Sequence, residues 1–564
     1  MLLVYLGDTA ALSFLQFLRK TLRHYAGPSP FTESQNKHTL LELPAKRPNG
    51  DQATDDLTHD EKIELVRIFR DASSGFLYLH TDEEISNMLV ASELISPAPD
   101  ELRSLPNDNS DATLYIMIAI GALCRSSSEV DEQIAARYLS LAQKDVFRDM
   151  LHDPSLDMVI NFLLLSYAML CACRRNTAFM YVGIASQAAR ILGLHVPQLY
   201  HTLPVEARNV RTRVWKCLKI MDVQCNAILG RPGSTLRPQT PHQACVQEPH
   251  AAYRALILDA NYDCCLALED IYRTTIDHGS LSIDVAERFL LILRHWIQDL
   301  PEELRETVRG TTGLDVQDGQ RELALGKIHI ASSYYFGVIF ITRQFLVKEV
   351  TKQLRDKHVL EDTTAPIPDD DTTSHKLAQV CLDAAVCNIQ TSSKAAKAGI
   401  LLGNMSFLAA WQFSAALSLG FSQMVPLGIN QPEISTTFAS CKHVLRQLST
   451  LSPQAQRYLE LLARFGEAIE AYHTDAAVSQ QPQRSEYLEQ IFSVDVGSGS
   501  ASRLGSGGRS PAAASNMVDG TADASLTMED EFQFPELGQD IDWKMGNDDF
   551  GYALHWDLPA DFYE

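Results

Sequence analysis

Residues 206–232 read EARNVRTRVWKCLKIMDVQCNAILGRP and carry the pattern that decides the fold class of this chain. Apolar side chains recur there every three or four residues, as they do on the buried face of an α-helix. They are Val210, Val214, Leu218, Met221, Cys225 and Leu229. Gly230 and Pro232 follow directly, an order typical of a helix end. The stretch therefore predicts a helix over about 207–229 that ends at Gly230.

The same spacing runs through most of the chain, whereas the alternating pattern of strands is scarce. Further helices are predicted at about 5–25, 155–173, 177–192, 322–355, 374–396, 402–422, 436–448 and 453–472. The expected fold class is all-α, an irregular multi-helix domain of paired antiparallel helices followed by a disordered C-terminal tail.

Two finer features of the helices are predicted from side-chain type. The helix at 177–192 contains small residues around Gly183, which leave room for a neighbouring helix. It ends at Gly193, expected in the left-handed conformation, with Leu194 placed for the accompanying hydrophobic contact. Asp284 and Glu287 fit a capping box for the next long apolar helix.

Four parts of the chain differ in composition. Residues 1–60 read as a short helix and a flexible loop, and residues 61–473 as the helical domain. Residues 474–515 include a Gly/Ser/Ala-rich run typical of a flexible linker. Residues 516–564 form an acidic tail that contains eight aromatic residues.

The charge of the chain is concentrated in that tail. The net charge is −23 over 564 residues, and residues 516–564 hold 13 Asp or Glu against one Lys. Such a balance argues against a protein that grips nucleic acid along most of its surface, because phosphates require a basic footprint. The rest of the chain is only mildly acidic.

Acidic residues interleaved with aromatic ones are typical of disordered activation segments, in which charge keeps the aromatic rings solvated until a coactivator binds them. The tail is therefore predicted to activate transcription by contacting coactivators. The aromatic residues expected to make those contacts are Phe532, Phe534, Trp543, Phe550, Trp556 and Phe562.

The remaining sequence excludes several classes of protein. The eleven cysteines are odd in number and mostly lie in apolar runs, which indicates reduced thiols and no zinc module. The N-terminus lacks the features of a signal peptide. The apolar run Met158–Cys173 is shorter than the roughly 20 residues of a membrane-spanning helix and predicts a buried helix instead.

Basic residues cluster on and after the helix at 207–229. They are Arg208, Arg211, Arg213, Lys216, Lys219, Arg231 and Arg237. One interpretation is a nucleic-acid surface. The favoured one is a cationic outer face on a core helix, salt-bridged to an acidic protein, because no aromatic platform accompanies the charges.

Two adjoining segments resemble the fungal-specific transcription factor domain, the regulatory middle region of fungal zinc-cluster (Gal4-like) transcription factors. Thr177–Pro197 (TAFMYVGIASQAARILGLHVP) resembles one of its motifs, and Glu206–Pro232 resembles its Arg-rich helix that ends in Gly-Arg-Pro. The matching positions are Gly183, Gly193, Leu194, His195, Arg211, Arg213, Trp215, Asp222, Gly230, Arg231 and Pro232. Lys216, Val223 and Gln344 differ from the usual pattern.

The resemblance implies a nuclear regulator of metabolic genes, with the cytoplasm as the alternative location because no basic nuclear-import run is evident. It implies a core that senses a small effector, restrains the tail and supports a homodimer. The family's six-cysteine zinc cluster is absent from this chain, whose first cysteine is Cys124. DNA is therefore expected to be reached only through a missing zinc cluster or a partner. No cofactor and no membrane association are expected in this chain.

Two other functions stay open. Asp369, Asp370 and Asp371 suggest an all-α, Mg²⁺-dependent enzyme of isoprenoid type, although consecutive aspartates after two prolines favour a solvated loop and the expectation is that the chain is not an enzyme. The other is an adaptor that binds related transcription factors without contacting DNA.

Overall fold

A computed structural model describes residues 10–33, 43, 57–94, 110–125, 128–148, 153–236, 252–305, 319–358, 369–427, 431–449 and 452–479. These residues form an all-α fold with a short 3-10 helix at Pro197–Tyr200, and no strand occurs among them. The α-helices are α1 Ala11–Ala26, α2 His59–Ser73, α3 Asp82–Leu94, α4 Ser110–Arg125, α5 Glu129–Arg148, α6 Leu156–Cys171, α7 Arg175–Ile191, α8 Val205–Leu229, α9 Ala252–His278, α10 Ile283–Asp299, α11 Glu302–Arg305, α12 Gln320–His358, α13 Asp369–Lys397, α14 Ser406–Ser422, α15 Gln431–Leu448 and α16 Pro453–Ser479.

Helices that follow one another in sequence pack side by side as antiparallel pairs. The most extensive pairs are α12 with α13, α6 with α7, and α4 with α5. Short connections favour this arrangement, since a chain that reverses direction after a helix lays the next one along its neighbour. The predicted all-α fold of paired helices is confirmed.

A single hydrophobic core runs from α1 to α16. Every residue of α14 from Ser406 to Ser422 is buried, and α6 is buried from Val159 to Cys171. A helix that is apolar all round belongs inside a domain. The aromatic ring of Phe76 stacks on that of Phe407 with 4.5 Å between centroids, so the α2–α3 loop is joined to α14 at the centre of this core.

One helix of the described residues, α12, has the length and composition of a membrane-spanning helix. This helix is long and apolar enough to span a bilayer by length and composition, but 78% of its most apolar window is buried inside the protein. A core helix of a large domain meets the same criteria. The apolar run predicted to be a buried helix, α6, lies in the core as expected.

Helix ends follow local chemistry, with one correction. The predicted left-handed residue after α7 is confirmed, because Gly193 has φ of 67° and Leu194 is fully buried. The predicted capping box at Asp284 and Glu287 is wrong. Ser282 is the N-cap of α10, and its hydroxyl accepts a hydrogen bond from the N–H of Val285 at 3.4 Å.

The cysteines in the described residues are all free thiols. Among the ten cysteines that the structure describes, Cys387 alone is exposed, and the sulfurs of Cys124 and Cys171 lie 3.8 Å apart. Within the described ranges no three His, Cys, Asp or Glu side chains converge to hold a metal ion. The side chains of Asp369, Asp370 and Asp371, most of residues 474–515, and the tail with Phe532, Phe534, Trp543, Phe550, Trp556 and Phe562 lie outside the described residues.

Candidate functional site: helix α8 and the Gly-Arg-Pro loop

Helix α8 is buried along its whole C-terminal two-thirds. Each residue from Arg213 to Leu229 is buried, although the sequence predicts a helix with one apolar stripe. The helix ends at Gly230, whose φ of 64° and ψ of 31° place it in the left-handed region that favours glycine. The predicted helix end at Gly230 is confirmed. The chain then turns through Arg231 and Pro232 and returns along α8.

Asp222 fastens this returning loop to the helix. Its buried carboxylate accepts hydrogen bonds from the N–H of Ser234 at 2.9 Å and from the N–H of Thr235 at 2.7 Å. The hydroxyl of Thr235 donates to the same carboxylate at 2.6 Å, and the Nδ2 of Asn226 donates at 2.8 Å. A carboxylate that accepts several hydrogen bonds binds each donor more strongly than a neutral acceptor would. Asp222 thereby fixes the shape of the loop.

Two lysines of α8 lie inside the protein and pair with carboxylates of α9. Lys216 Nζ is 2.7 Å from Asp259 Oδ1, and Lys219 Nζ is 2.7 Å from Glu269 Oε1. Lys219 is fully buried and also donates to the Thr235 hydroxyl at 3.1 Å. The prediction of salt bridges is confirmed. The prediction of a cationic outer face is wrong for these lysines, because both are buried. Their burial is possible because each charge is paired with a carboxylate.

The arginines of the segment lie at different depths. Arg213 is buried, stacks over the ring of Tyr78 at 4.8 Å, and approaches Glu84 within 3.8 Å. The hydrogen bond to His80, with smaller contributions from Thr81 and from the charge of Arg213, lowers the pKa of Glu84 to about 2. Arg211 is half-buried at the surface of the protein. Burial raises the pKa of Tyr200, and the charge of Arg211 partly offsets that rise.

The loop arginine connects α8 to α7. Arg231 donates from its NH2 group to Asn176 Oδ1 at 2.8 Å, and its guanidinium lies 4.9 Å from the ring centroid of Phe179. Ser186 of α7 donates to the carbonyl of Ser234 at 2.9 Å. The two segments that resemble family motifs, 177–197 and 206–232, therefore lie side by side at the Gly-Arg-Pro loop.

The aromatic members of the motif meet about two turns before Asp222 on α8. Trp215 is fully buried, and its ring centroid lies 6.1 Å from that of His195. Burial, together with the charge of Arg190, lowers the pKa of His195. Gly183 has nothing within 4 Å of the position that a Cβ would take, so no helix packs closely at this residue. The other small residues of the predicted set are buried, and α7 packs extensively on α6, so close packing holds for Ala185, Ser186, Ala188 and Ala189.

A cavity of about 250 Å³ separates the end of α8 and its loop from α9. Asp222, Asn226 and Arg231 line one side, and Glu269 and Arg273 line the other. Three motif positions, Asp222, Arg231 and Pro232, therefore border one space. Sequence reasoning missed the α9 residues of this site. Charged residues within the apolar pattern of α9 were the one signal that could have identified them.

A second polar network lies between α2, α3, α9 and α12. Arg254 donates to Glu322 Oε1 at 2.7 Å and to Asp82 Oδ1 at 2.6 Å, and Arg70 reaches Asp82 at 3.0 Å. The network borders a cavity of only about 30 Å³, room for a single water molecule. We interpret it as a structural junction between distant parts of the chain.

The fold and the α8 site together define a helical domain with a buried central helix, α8. This helix carries paired charges and is followed by the Gly-Arg-Pro loop. Residues 75–245 match the family described as the fungal specific transcription factor domain. The match contains the whole Gly-Arg-Pro loop and its Asp222 anchor.

A curated relative covers more of the chain. Filamentous growth regulator 27 of Candida albicans (strain SC5314 / ATCC MYA-2876) is 21% identical over 479 residues, which cover 81% of this chain and 59% of the relative. The chain thus spans less than two thirds of that protein's length. The similarity includes helices well beyond residue 245.

Proposed function

We propose that the protein is a transcription regulator that activates fungal metabolic genes from the nucleus. The observation that carries this proposal is the fungal specific transcription factor domain at 75–245. A relative named as a growth regulator supports it. In this proposal the helical core is the regulatory part, which restrains the activating segment and supports a homodimer.

The activating segment proposed is the acidic and aromatic stretch 516–564, with coactivators as its partners. Its 13 acidic residues and its aromatic side chains, Phe532 and Trp543 among them, support the assignment. DNA contact is proposed to come from a zinc cluster or a partner protein, with no cofactor bound by the helical core itself. A catalytic role is not proposed, because no described residues form a catalytic constellation.

The test is a reporter assay with the chain fused to an unrelated DNA-binding domain. We expect transcription above the level of the DNA-binding domain alone, and its loss on deletion of residues 516–564. A variant with Phe532, Phe534, Trp543, Phe550, Trp556 and Phe562 changed to Ala keeps the charge and should also be inactive. As a control, deletion of 496–515 removes 20 neighbouring residues that include no aromatic side chain. Full activity of the tail-deleted fusion would contradict the proposal.

A further inference from the structure

The cavity between α8 and α9 has a deep polar end and an open end. Asn226 and Tyr272 are buried at the deep end, whereas Arg273 and Ile276 are exposed on the last turns of α9. Its volume of about 250 Å³ lies just below the range of roughly 300–1,000 Å³ typical of ligand pockets. A single small metabolite is the size of molecule that fits it.

Three buried polar atoms on the cavity's lining residues have no hydrogen-bond partner among the described residues. They are Asn226 Oδ1, Glu269 Oε2 and the hydroxyl of Tyr272. Burial raises the pKa of Tyr272 well above its ordinary value, so this hydroxyl stays protonated and can donate. A buried polar group without a partner is costly, so each of these atoms requires a partner such as a bound water, an ion or a ligand.

The charges that border the cavity are balanced. Arg231 and Arg273 supply two guanidinium groups, and Glu269 and Asp277 supply two carboxylates. Asp222 adds a third carboxylate, and Lys219, which pairs with Glu269, adds a third positive charge, so the total stays neutral. A purely anionic ligand would be repelled by the carboxylates and a purely cationic one by the guanidinium groups.

The apolar part of the lining is extensive enough to receive a hydrocarbon side chain. Val223, Pro232 and Ile276 contribute aliphatic surface, and the ring of Tyr272 completes it. Burial of such a side chain would supply most of the favourable free energy, while the charged groups would set orientation.

We propose that this cavity binds a zwitterionic metabolite of amino-acid size with an apolar side chain. Its carboxylate lies toward Arg231 and Arg273, its ammonium group toward Glu269 and Asp277, and its side chain against Val223 and Ile276.

Occupancy of the cavity would act on the Gly-Arg-Pro loop, because Asn226 and Thr235 line the cavity and also contact Asp222. A ligand that binds one arrangement of this loop better than another shifts the population between them. That regulatory consequence rests on the proposed function, whereas binding itself does not.

The test is calorimetric titration of the full chain with L-leucine, L-methionine and L-phenylalanine, each compared with its α-keto acid and its decarboxylated amine. We expect at least one amino acid to bind, and its two analogues, each lacking one charge, to bind about tenfold more weakly or not at all. Absence of binding by all three amino acids, or equal binding of an analogue, would overturn the proposal.

Two variants locate the site. Arg273→Gln should weaken binding about tenfold, and Ile276→Trp should abolish it by filling the cavity. The matched controls are Arg288→Gln and Leu291→Trp on the exposed surface of α10, which should bind as the unchanged protein does. Both cavity variants should fold, because the Arg273 side chain is 53% exposed and Ile276 is 38% exposed. Circular dichroism checks the fold of each variant. Equal binding by the cavity variants and their controls would place the ligand elsewhere and refute the proposed site, whatever the reporter assay shows.

Discussion

One oxygen of Asp222 accepts two hydrogen bonds from Thr235, one from its N–H at 2.7 Å and one from its hydroxyl at 2.6 Å. The two residues lie 13 positions apart, on either side of the left-handed Gly230. These two hydrogen bonds constrain the length of the loop, because a loop longer or shorter by one residue would move both Thr235 donors away from the carboxylate.

Substitution of Asp222 by Asn should destabilise the fold by about 3 kcal/mol. The amide has the size of the carboxylate, but its NH2 group must face at least one N–H or hydroxyl donor in either orientation. The measurement is the free energy of unfolding in urea. Asp356→Asn on the exposed side of α12 is the matched control and should have an effect within about 0.5 kcal/mol. Equal stability of the two variants would contradict the anchoring role of Asp222.

The Lys219–Glu269 pair should show strong coupling. Lys219→Met leaves the carboxylate of Glu269 buried without its lysine, and a loss of about 3–5 kcal/mol is expected for breaking one side of a buried pair. Glu269→Leu should be comparably destabilising. The double variant should lose much less than the two single losses combined, because an apolar pair leaves no unpaired charge. A double-mutant cycle measures this, and strictly additive losses would refute it.

Two glycines of the motif should respond in opposite directions to alanine. Gly230→Ala should cost about 1–2 kcal/mol, because φ of 64° strains a residue with a Cβ. Gly183→Ala should stabilise the protein by up to about 1 kcal/mol, since the residue lies inside α7 with open space around its Cβ position. Thermal unfolding of the two variants tests the pair. Loss of stability in Gly183→Ala would contradict the open space around its Cβ position.

The pH dependence of stability should contain a contribution from His329. Burial lowers the pKa of this side chain from 6.5 to about 4, while its Nδ1 contacts the carbonyl of Ser74 at 2.9 Å. Between these values the unfolded chain binds a proton that the folded protein does not, so stability falls as pH falls through this window. The contribution amounts to about 3 kcal/mol.

His329→Asn isolates this contribution, because the Asn amide can still donate toward Ser74 and does not titrate. Urea unfolding between pH 7 and pH 4 should lose less stability in this variant than in the unchanged protein. Asp71 acts in the opposite direction, since burial raises its pKa to about 6 and its protonation favours the folded state. Parallel pH profiles for the two proteins would exclude His329 as a source of the slope.

The helices could be predicted from sequence because apolar periodicity is a local property. Helix α8 was expected at about 207–229 and occupies Val205–Leu229. The burial of Lys216 and Lys219 could not be predicted in the same way. Positive charge normally marks the surface, and the carboxylates that make burial possible lie 43 and 50 residues further along the chain.

Positions that depart from the family's usual pattern have structural roles of their own. Lys216, where an aromatic residue is usual, forms the ion pair with Asp259. Gln344, where proline is usual, accepts a hydrogen bond from the N–H of Leu281 at 3.0 Å and donates to the carbonyl of the same residue at 3.2 Å. Such compensation depends on three-dimensional neighbours, so a linear motif cannot reveal it.

The ion pairs of α8 limit how the polypeptide can be divided. The match to the family ends at residue 245, yet Lys216 and Lys219 obtain their counter-charges from Asp259 and Glu269. A fragment ended at 245 would lack both counter-charges and would expose the face of α8 that α9 covers. Because α9 in turn packs against α12, the fragment that can fold by itself must extend far beyond the matched segment. That segment is a unit of sequence similarity and not a unit of folding.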